Sequence, residues 1–190
     1  MTEQLLTFDQ VFAIWLINEV GNPGEVNLLP LANDKGFDSV SEWRLNTALR
    51  LGLDKKEWSL IEIENPTKVL PNILVGPYQG WSKFFDNKLT TSFLDALEIP
   101  EFFQWCKGHN RIPTIAENFP TPTTIILFRK SNGDFIHIEG GHRICAVAYA
   151  NKVGMNLDIK ISAAVADISD EEIEKLIQFL KAGTNKQPIK

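Results

Sequence analysis

The chain is poor in the residues that hold metal and disulfide folds together. Its 190 residues include two cysteines, Cys106 and Cys145, and three histidines. Neither cysteine has a CxxC partner, and the histidines complete no zinc spacing. Disulfide scaffolding is thereby excluded, and both thiols read as reduced and buried. A basic leader is also missing: "MTEQLLTFDQ" has no positive n-region, so no signal peptide is expected. The longest apolar run, "VFAIWLI", falls far short of the roughly 20 residues that span a bilayer. Positive charge is not in excess. Against 19 Lys and Arg stand 24 Asp and Glu, for a net charge of −5. No whole-protein field exists to recruit nucleic-acid phosphates, though a local basic groove is compatible with that balance. There is no GxxxxGK[ST] phosphate loop, no internal repeat and no low-complexity tract. These absences point to a cytoplasmic protein without membrane contact.

What is present is an ordinary globular balance, 44% hydrophobic and 23% charged, with enough apolar material for a core. Leu5, Phe8, Phe12, Trp15, Leu16 and Val20 fall near helical spacing and predict a helix over 4–20, stopped by Gly21. Residues 21–38 read as loop. Ser39, with Glu42 three residues on, forms a capping box for a helix that ends at Gly52. "EWSLIEIEN" alternates after Trp58 and reads as a strand. Residues 66–85 are punctuated by Pro and Gly and read as irregular. Helices are expected over about 90–97 and from Pro100 to just before Gly108. Residues 108–123, with Pro113, Pro120 and Pro122, read as a long loop, a feature often tied to function in compact domains.

The pattern then sharpens. "TTIILFRK" and "FIHI" flank "SNGD" and predict a hairpin about an Asn-Gly turn. "HRICAVAYANK" predicts a helix whose alanines suit close packing on a sheet. "LDIKISAAVAD" reads as a further strand. Ser169 and Glu172 open a last helix to about Lys181, and "GTNKQPIK" is expected to fray. The fold class is α+β: a small mixed β-sheet with packed helices. A helical N-terminal extension over 1–58 precedes one compact unit over 59–190.

The join at Glu139-Gly140-Gly141-His142-Arg143 admits two readings. A helix N-terminus offers unpaired N–H groups and partial positive charge, and glycines let an anion approach the backbone. His142 and Arg143 add side-chain donors, and Arg can grip phosphate with two parallel bonds. An arginine there opposes the helix dipole, at a cost of roughly 0.3–1 kcal/mol, which an anion would remove. In the other reading, Gly-Gly makes a tight turn and Arg143 pairs with a carboxylate.

"IEGGHRICAVAYA" resembles the [DE]-G-x-H-R-x-x-A-A segment of the ParB/sulfiredoxin superfamily, and "GPYQGWSKFF" is similar to its N-P-Y-Q-P-R-x-x-F segment. The order of elements also agrees, over about residues 60–165. The resemblance implies a site for nucleotide phosphates, with ATP or another nucleoside triphosphate and Mg²⁺ as cofactors. It implies backbone contacts from Gly140 and Gly141, phosphate contacts from His142 and Arg143, and a metal- or water-activating role for Glu139. Gln79 would line the same pocket. Gly141 stands where sulfiredoxins carry the reactive cysteine, so sulfinic-acid reduction is not expected. The residues after the motif are too few for the DNA-reading and dimerisation parts of partition proteins. What the resemblance leaves is a nucleotide phosphohydrolase of the ATPase type, with metal-dependent DNA cleavage as a variant. Alternatives are a small-molecule kinase of the same fold, and a non-catalytic inhibitor of the plasmid fertility-inhibition kind, meeting a protein partner through residues 1–58.

Other clusters have plainer readings. His137, Glu139 and His142 could form a metal trio, because His137 and Glu139 are two apart on one strand face; a solvent-facing His137 is the competing expectation. His109 and Arg111 could belong to a lid or to an ordinary exposed loop. Trp81, Lys83, Phe84 and Phe85 could stack bases beside phosphate, or build core. Cys145 reads as helix packing.

Overall fold

The structure, a computed structural model, describes residues 4–20, 27–85 and 89–182. It opens with a strand, β1 (Gln4–Leu6), and a helix, α1 (Phe8–Val20). The expected helix over 4–20 therefore begins four residues late. Thr7 and Gln10 explain the break: the Thr7 hydroxyl accepts from the Gln10 N–H at 3.3 Å, and the Gln10 side chain accepts from the Thr7 N–H at 2.8 Å. This reciprocal cap fixes the helix start and frees Gln4–Leu6 to pair as a strand. The expected stop at Gly21 and the tail "GTNKQPIK" lie outside the described residues.

Within the stretch expected to be loop, Pro30 starts a short helix, α2 (Leu29–Asp34), which buries Ala32 with Phe37 and Trp43. α3 (Val40–Arg50) follows its predicted Ser39 cap, with the Ser39 hydroxyl accepting from the Glu42 N–H at 3.1 Å. β2 (Trp58–Glu62) follows as expected. The Pro/Gly-punctuated stretch contains two single-turn helices, α4 (Pro66–Val69) and α5 (Gln79–Ser82). Next come α6 (Phe93–Leu97), α7 (Pro100–Gly108) and α8 (Ile112–Glu117). The expected long loop over 108–123 is thus interrupted by the short helix α8. Pro113 sits at the start of α8, where its missing N–H costs nothing. The remaining elements match their signals: β3 (Thr123–Arg129), β4 (Phe135–Glu139), α9 (Gly141–Lys152), β5 (Ile161–Asp167) and α10 (Asp170–Ala182).

The fold is α+β, with a five-stranded mixed sheet in the order β1-β2-β5-β3-β4. β3 and β5 pair parallel; the other neighbours are antiparallel. The segment expected to stand outside the compact unit thus supplies the edge strand β1, with Leu5 opposite Ser59.

Alternation along the strands divides the core between two faces. Ile125, Leu127, Ala163 and Val165 pack with α6, α7, α8 and α9. Ile126, Phe128, Ala164 and Ala166 pack with Val11 and Trp15 of α1 and Leu176 of α10. Cys145 and the alanines of α9 are buried, so this helix lies close to the sheet. Cys106 and Cys145 are free thiols in contact, with their sulfurs 3.5 Å apart. Among the described residues, no helix is long and apolar enough to cross a membrane.

Candidate functional site

The site forms at one end of the sheet, where β4 ends beside the start of β3. A register shift there makes Ile126 face Glu139 while its neighbour Leu127 faces His137. The extra residue is a β-bulge, and it breaks the two-residue alternation. His137 and Glu139 therefore do not share a face, contrary to the sequence reading. His137 packs against Phe93 and Trp81, at ring distances of 5.1 and 6.2 Å. Glu139 turns instead to α1 and accepts from the Asn18 side-chain amide at 2.6 Å.

His137 is 1% exposed, which corrects the expectation of a solvent-facing histidine. Its Nδ1 accepts from the Gly76 N–H at 2.5 Å. Burial pulls its pKa down to about 3, so the ring is neutral. Among the described residues, no group of three His, Cys, Asp or Glu is placed to hold a metal ion, so the trio His137, Glu139 and His142 does not assemble as one.

Gly140 and Gly141 carry the turn from β4 into α9. Gly140 has φ of 92°, and a Cβ there would lie 2.5 Å from Ile125. At Gly141 a Cβ would lie 2.7 Å from His137 Nε2. Both glycines are thus required by packing within the protein, as the tight-turn reading holds.

Arg143 is 2% exposed and bound on several sides. Its Nη2 donates to both Glu139 oxygens, at 2.9 and 2.7 Å. Its Nη1 donates to Asn18 Oδ1 at 2.9 Å and to the Thr123 hydroxyl. The paired-arginine reading is therefore the one observed, and the guanidinium's outer edge is not free for a bidentate phosphate grip. Glu139 is corrected in the same way. Both of its oxygens accept from Arg143, and one accepts from Asn18 as well, so the carboxylate is held in an internal ion pair. Burial pushes its carboxyl pKa up, against the pull of Arg143.

A cavity of about 210 Å³ opens beside this pair. Gly140, Gly141, His142 and Arg143 line one side; Tyr78, Trp81 and Arg111 line another. Trp15 and Glu19 of α1 and Arg44 of α3 complete it, so residues expected to lie outside the unit form part of its wall. Gln79 begins α5 next to the cavity, but its side chain lies outside the described residues. The turn between α7 and α8 brings in His109 and Arg111, with His109 Nδ1 accepting from the Arg111 N–H at 3.1 Å. His109 and His142 lie 5.1 Å apart between ring centres, and Trp81 stands 5.2 Å from His142. All three histidines of the chain thus meet at one end of the sheet. Trp81 is 7% exposed and packs edge-on against Trp105, so it is core and not an open stacking platform. Phe84 and Phe85 pack on Phe102, and Lys83 lies over the Phe84 and Trp105 rings.

The electrostatics of the cavity are cationic. Arg44 is paired with Glu19 at 2.7 Å, and Arg143 with Glu139. Arg111 has no carboxylate partner among the described residues. Burial and Arg111 together hold His142 well below the ordinary histidine range, and His109 is lowered for the same two reasons. Most telling, Arg44, Arg111 and Arg143 each have a buried Nε–H without an acceptor among the described residues, and all three line this cavity.

Sequence reasoning located the turn but missed Trp15, Asn18, Glu19 and Arg44. Their signal was present: in "VFAIWLINEV", Asn18 and Glu19 fall three and four residues after Trp15, on the same side of an otherwise apolar helix. Fold and site together define an α+β protein with an arginine-lined cavity over a buried ion pair. No family model matches the chain, and neither a curated protein nor a solved structure matches it.

Proposed function

We propose that this cavity binds the phosphate end of a nucleotide, and that the chain is a phosphohydrolase on a ParB/sulfiredoxin-like fold. The observation that carries the reading is that three arginines line one cavity, each with a buried Nε–H that has no acceptor among the described residues. A buried donor without an acceptor costs about 1–3 kcal/mol, so three such arginines around one cavity favour an anion as the missing partner. The N–H groups at the start of α9 point the same way in charge. The volume favours a phosphate group rather than a whole nucleotide, since drug-sized ligands occupy roughly 300–1,000 Å³. The nucleoside would extend out of the cavity mouth.

In this reading the roles differ from those implied by the sequence motif. Arg111, the one cavity arginine without a carboxylate partner among the described residues, neutralises the phosphate. Arg143 and Glu139 hold the turn in shape. Mg²⁺ does not fit as a protein-held ion, because the cavity carboxylates Glu139 and Glu19 are each paired with an arginine and no group of three His, Cys, Asp or Glu among the described residues is placed to hold a metal.

The test is calorimetry with ATP on wild type and Arg111→Ala. Loss of one charge-assisted contact should weaken binding about tenfold or more. Thermal stability should barely move, since Arg111 holds no ion pair among the described residues. Equal ATP affinity in the two proteins would remove the reading.

A second reading draws on a different observation. Leu5, Ile17, Leu29, Leu31, Leu45 and Leu49 are exposed, all within the first 58 residues. Such exposure favours a protein partner on the N-terminal segment. If binding to a partner is the function, Ile17→Asp and Leu49→Lys should abolish it while Arg111→Ala leaves it unchanged.

A further inference from the structure

We propose that His142 accepts a phosphoryl group on a ring nitrogen, so that nucleoside triphosphate is turned over through a phosphohistidine. The proposal rests on the phosphate-binding reading above and adds the identity of the reacting group.

The carboxylates of the cavity are Glu139 and Glu19, and each is tied to an arginine. Tyr78 donates its hydroxyl to the Ile138 carbonyl, and burial pushes its phenol pKa up, so it supplies no phenolate. His137 is buried with Nδ1 occupied by the Gly76 N–H. His109 has Nδ1 occupied by the Arg111 N–H and does not line the cavity. Among the described residues, neither ring nitrogen of His142 has a protein hydrogen-bond partner, and the ring is half-buried on the cavity wall.

His142 is the second residue of α9, whose side chains tilt toward the helix N-terminus. Its ring therefore shares the end of the helix where backbone N–H groups are unpaired. Arg111 and Arg143 line the same cavity, each with a buried Nε–H that has no acceptor among the described residues. A nucleophile beside fixed positive charge is the arrangement phosphoryl transfer uses, because that chemistry depends on positioning and charge neutralisation. The state of the ring also fits. Burial and Arg111 keep His142 neutral at ordinary pH, so its lone pair is available.

The step balances without an added reductant or oxidant. The ring nitrogen's lone pair attacks the terminal phosphorus; an N–P bond forms and the P–O bond to the bridging oxygen breaks. The electron pair leaves on nucleoside diphosphate, a good leaving group that needs no acid. Water then attacks phosphorus, a P–O bond forms, the N–P bond breaks, and inorganic phosphate departs. Its proton balances the one shed from the ring on phosphorylation.

The experiment uses the full chain and MgATP labelled on the terminal phosphate. ATP binding to wild type is read by equilibrium dialysis. Phosphoprotein is read after a single-turnover quench into alkali, where phosphohistidine survives and phosphoserine does not. The expected result is base-stable, acid-labile label on the peptide that holds Gly141 and His142, mapped by mass spectrometry in wild type. His142→Asn and His142→Gln, each checked for folding by circular dichroism, should carry no label. If wild type binds and hydrolyses ATP but carries no such label, or carries it elsewhere, the phosphohistidine is overturned and the binding reading stands. If wild type does not bind ATP, both fall.

Discussion

Asn18 and Arg143 lie 125 positions apart in the chain and share a 2.9 Å hydrogen bond at the end of the sheet. The Asn18 oxygen accepts from the guanidinium, while its amide nitrogen donates to Glu139 at 2.6 Å and to the Thr124 carbonyl at 2.8 Å. A neutral amide is suited to this place. It offers an acceptor to the cation and a donor to the anion, so both charges of a buried pair are solvated by one side chain. Through it, α1 becomes part of the support of the cavity.

Asn18→Leu should therefore be costly despite its similar size. It removes one partner from each member of a buried ion pair, and such losses run at about 1.5–3 kcal/mol for bonds to charged groups. A loss of about 2–3 kcal/mol is expected from urea unfolding. Asn18→Asp should be worse at pH 7 than at pH 5, because it replaces the donor facing Glu139 with a second negative charge.

The ion pair itself makes a separate prediction. Arg143→Ala leaves Glu139 buried and unpaired, and breaking such a pair from one side costs about 3–5 kcal/mol. Arg143→Met combined with Glu139→Leu should recover much of that loss, since replacing both charges by apolar groups is often neutral. A double-mutant cycle should give a coupling of about 2 kcal/mol or more. A loss of ATP binding in Arg143→Ala would then have to be separated from unfolding, which is why Arg111→Ala is the cleaner probe.

Much of the fold was legible from local signals. The hairpin about Asn132-Gly133, the Ser39 cap and the Ser169–Glu172 capping box all appear where residue chemistry placed them. What failed was non-local. The bulge opposite Ile126 re-aims Glu139, and no local pattern in "FIHIEG" announces it. Burial of His137 depends on α5 and α6 closing over β4, which alternation within the strand does not report. The cavity's outer wall comes from α1 and α3, and periodicity reads their polar residues as a solvated face. The reciprocal cap of Thr7 and Gln10 was readable but was masked by the apolar residues before it.

His137 gives a pH prediction whose sign is fixed by its environment. Its folded pKa lies near 3 against an ordinary value of 6.5, so the fold prefers the neutral ring. That contribution is fully present above about pH 6.5 and is lost progressively as pH falls toward 3. Between pH 7 and pH 4 the loss should reach about 3 kcal/mol. His137→Asn keeps an oxygen that can accept from the Gly76 N–H but does not titrate. The variant should be less stable than wild type at pH 7, and its stability should fall less steeply with acid. Parallel stability–pH curves for the two proteins would contradict the assignment.

The two glycines of the turn should respond differently to alanine, and the difference isolates packing from backbone strain. Gly140→Ala meets both problems: φ of 92° is strained for any L side chain, and the Cβ would press on Ile125. A loss of about 2–4 kcal/mol is expected, with no simple rescue. Gly141 has no positive φ and begins α9, so alanine there should gain roughly 0.5–1 kcal/mol of backbone entropy. Against that gain stands the 2.7 Å approach to His137 Nε2, on a ring that the Gly76 N–H holds in place. The net effect of Gly141→Ala in wild type should be destabilising, by about 1–2 kcal/mol. In a His137→Ala background the obstacle is gone, and the same substitution should become neutral or stabilising. Chemical denaturation of the four proteins reads the change of sign directly. If Gly141→Ala costs the same in both backgrounds, the glycine is required by something other than His137, and the start of α9 as an anion site becomes the leading explanation.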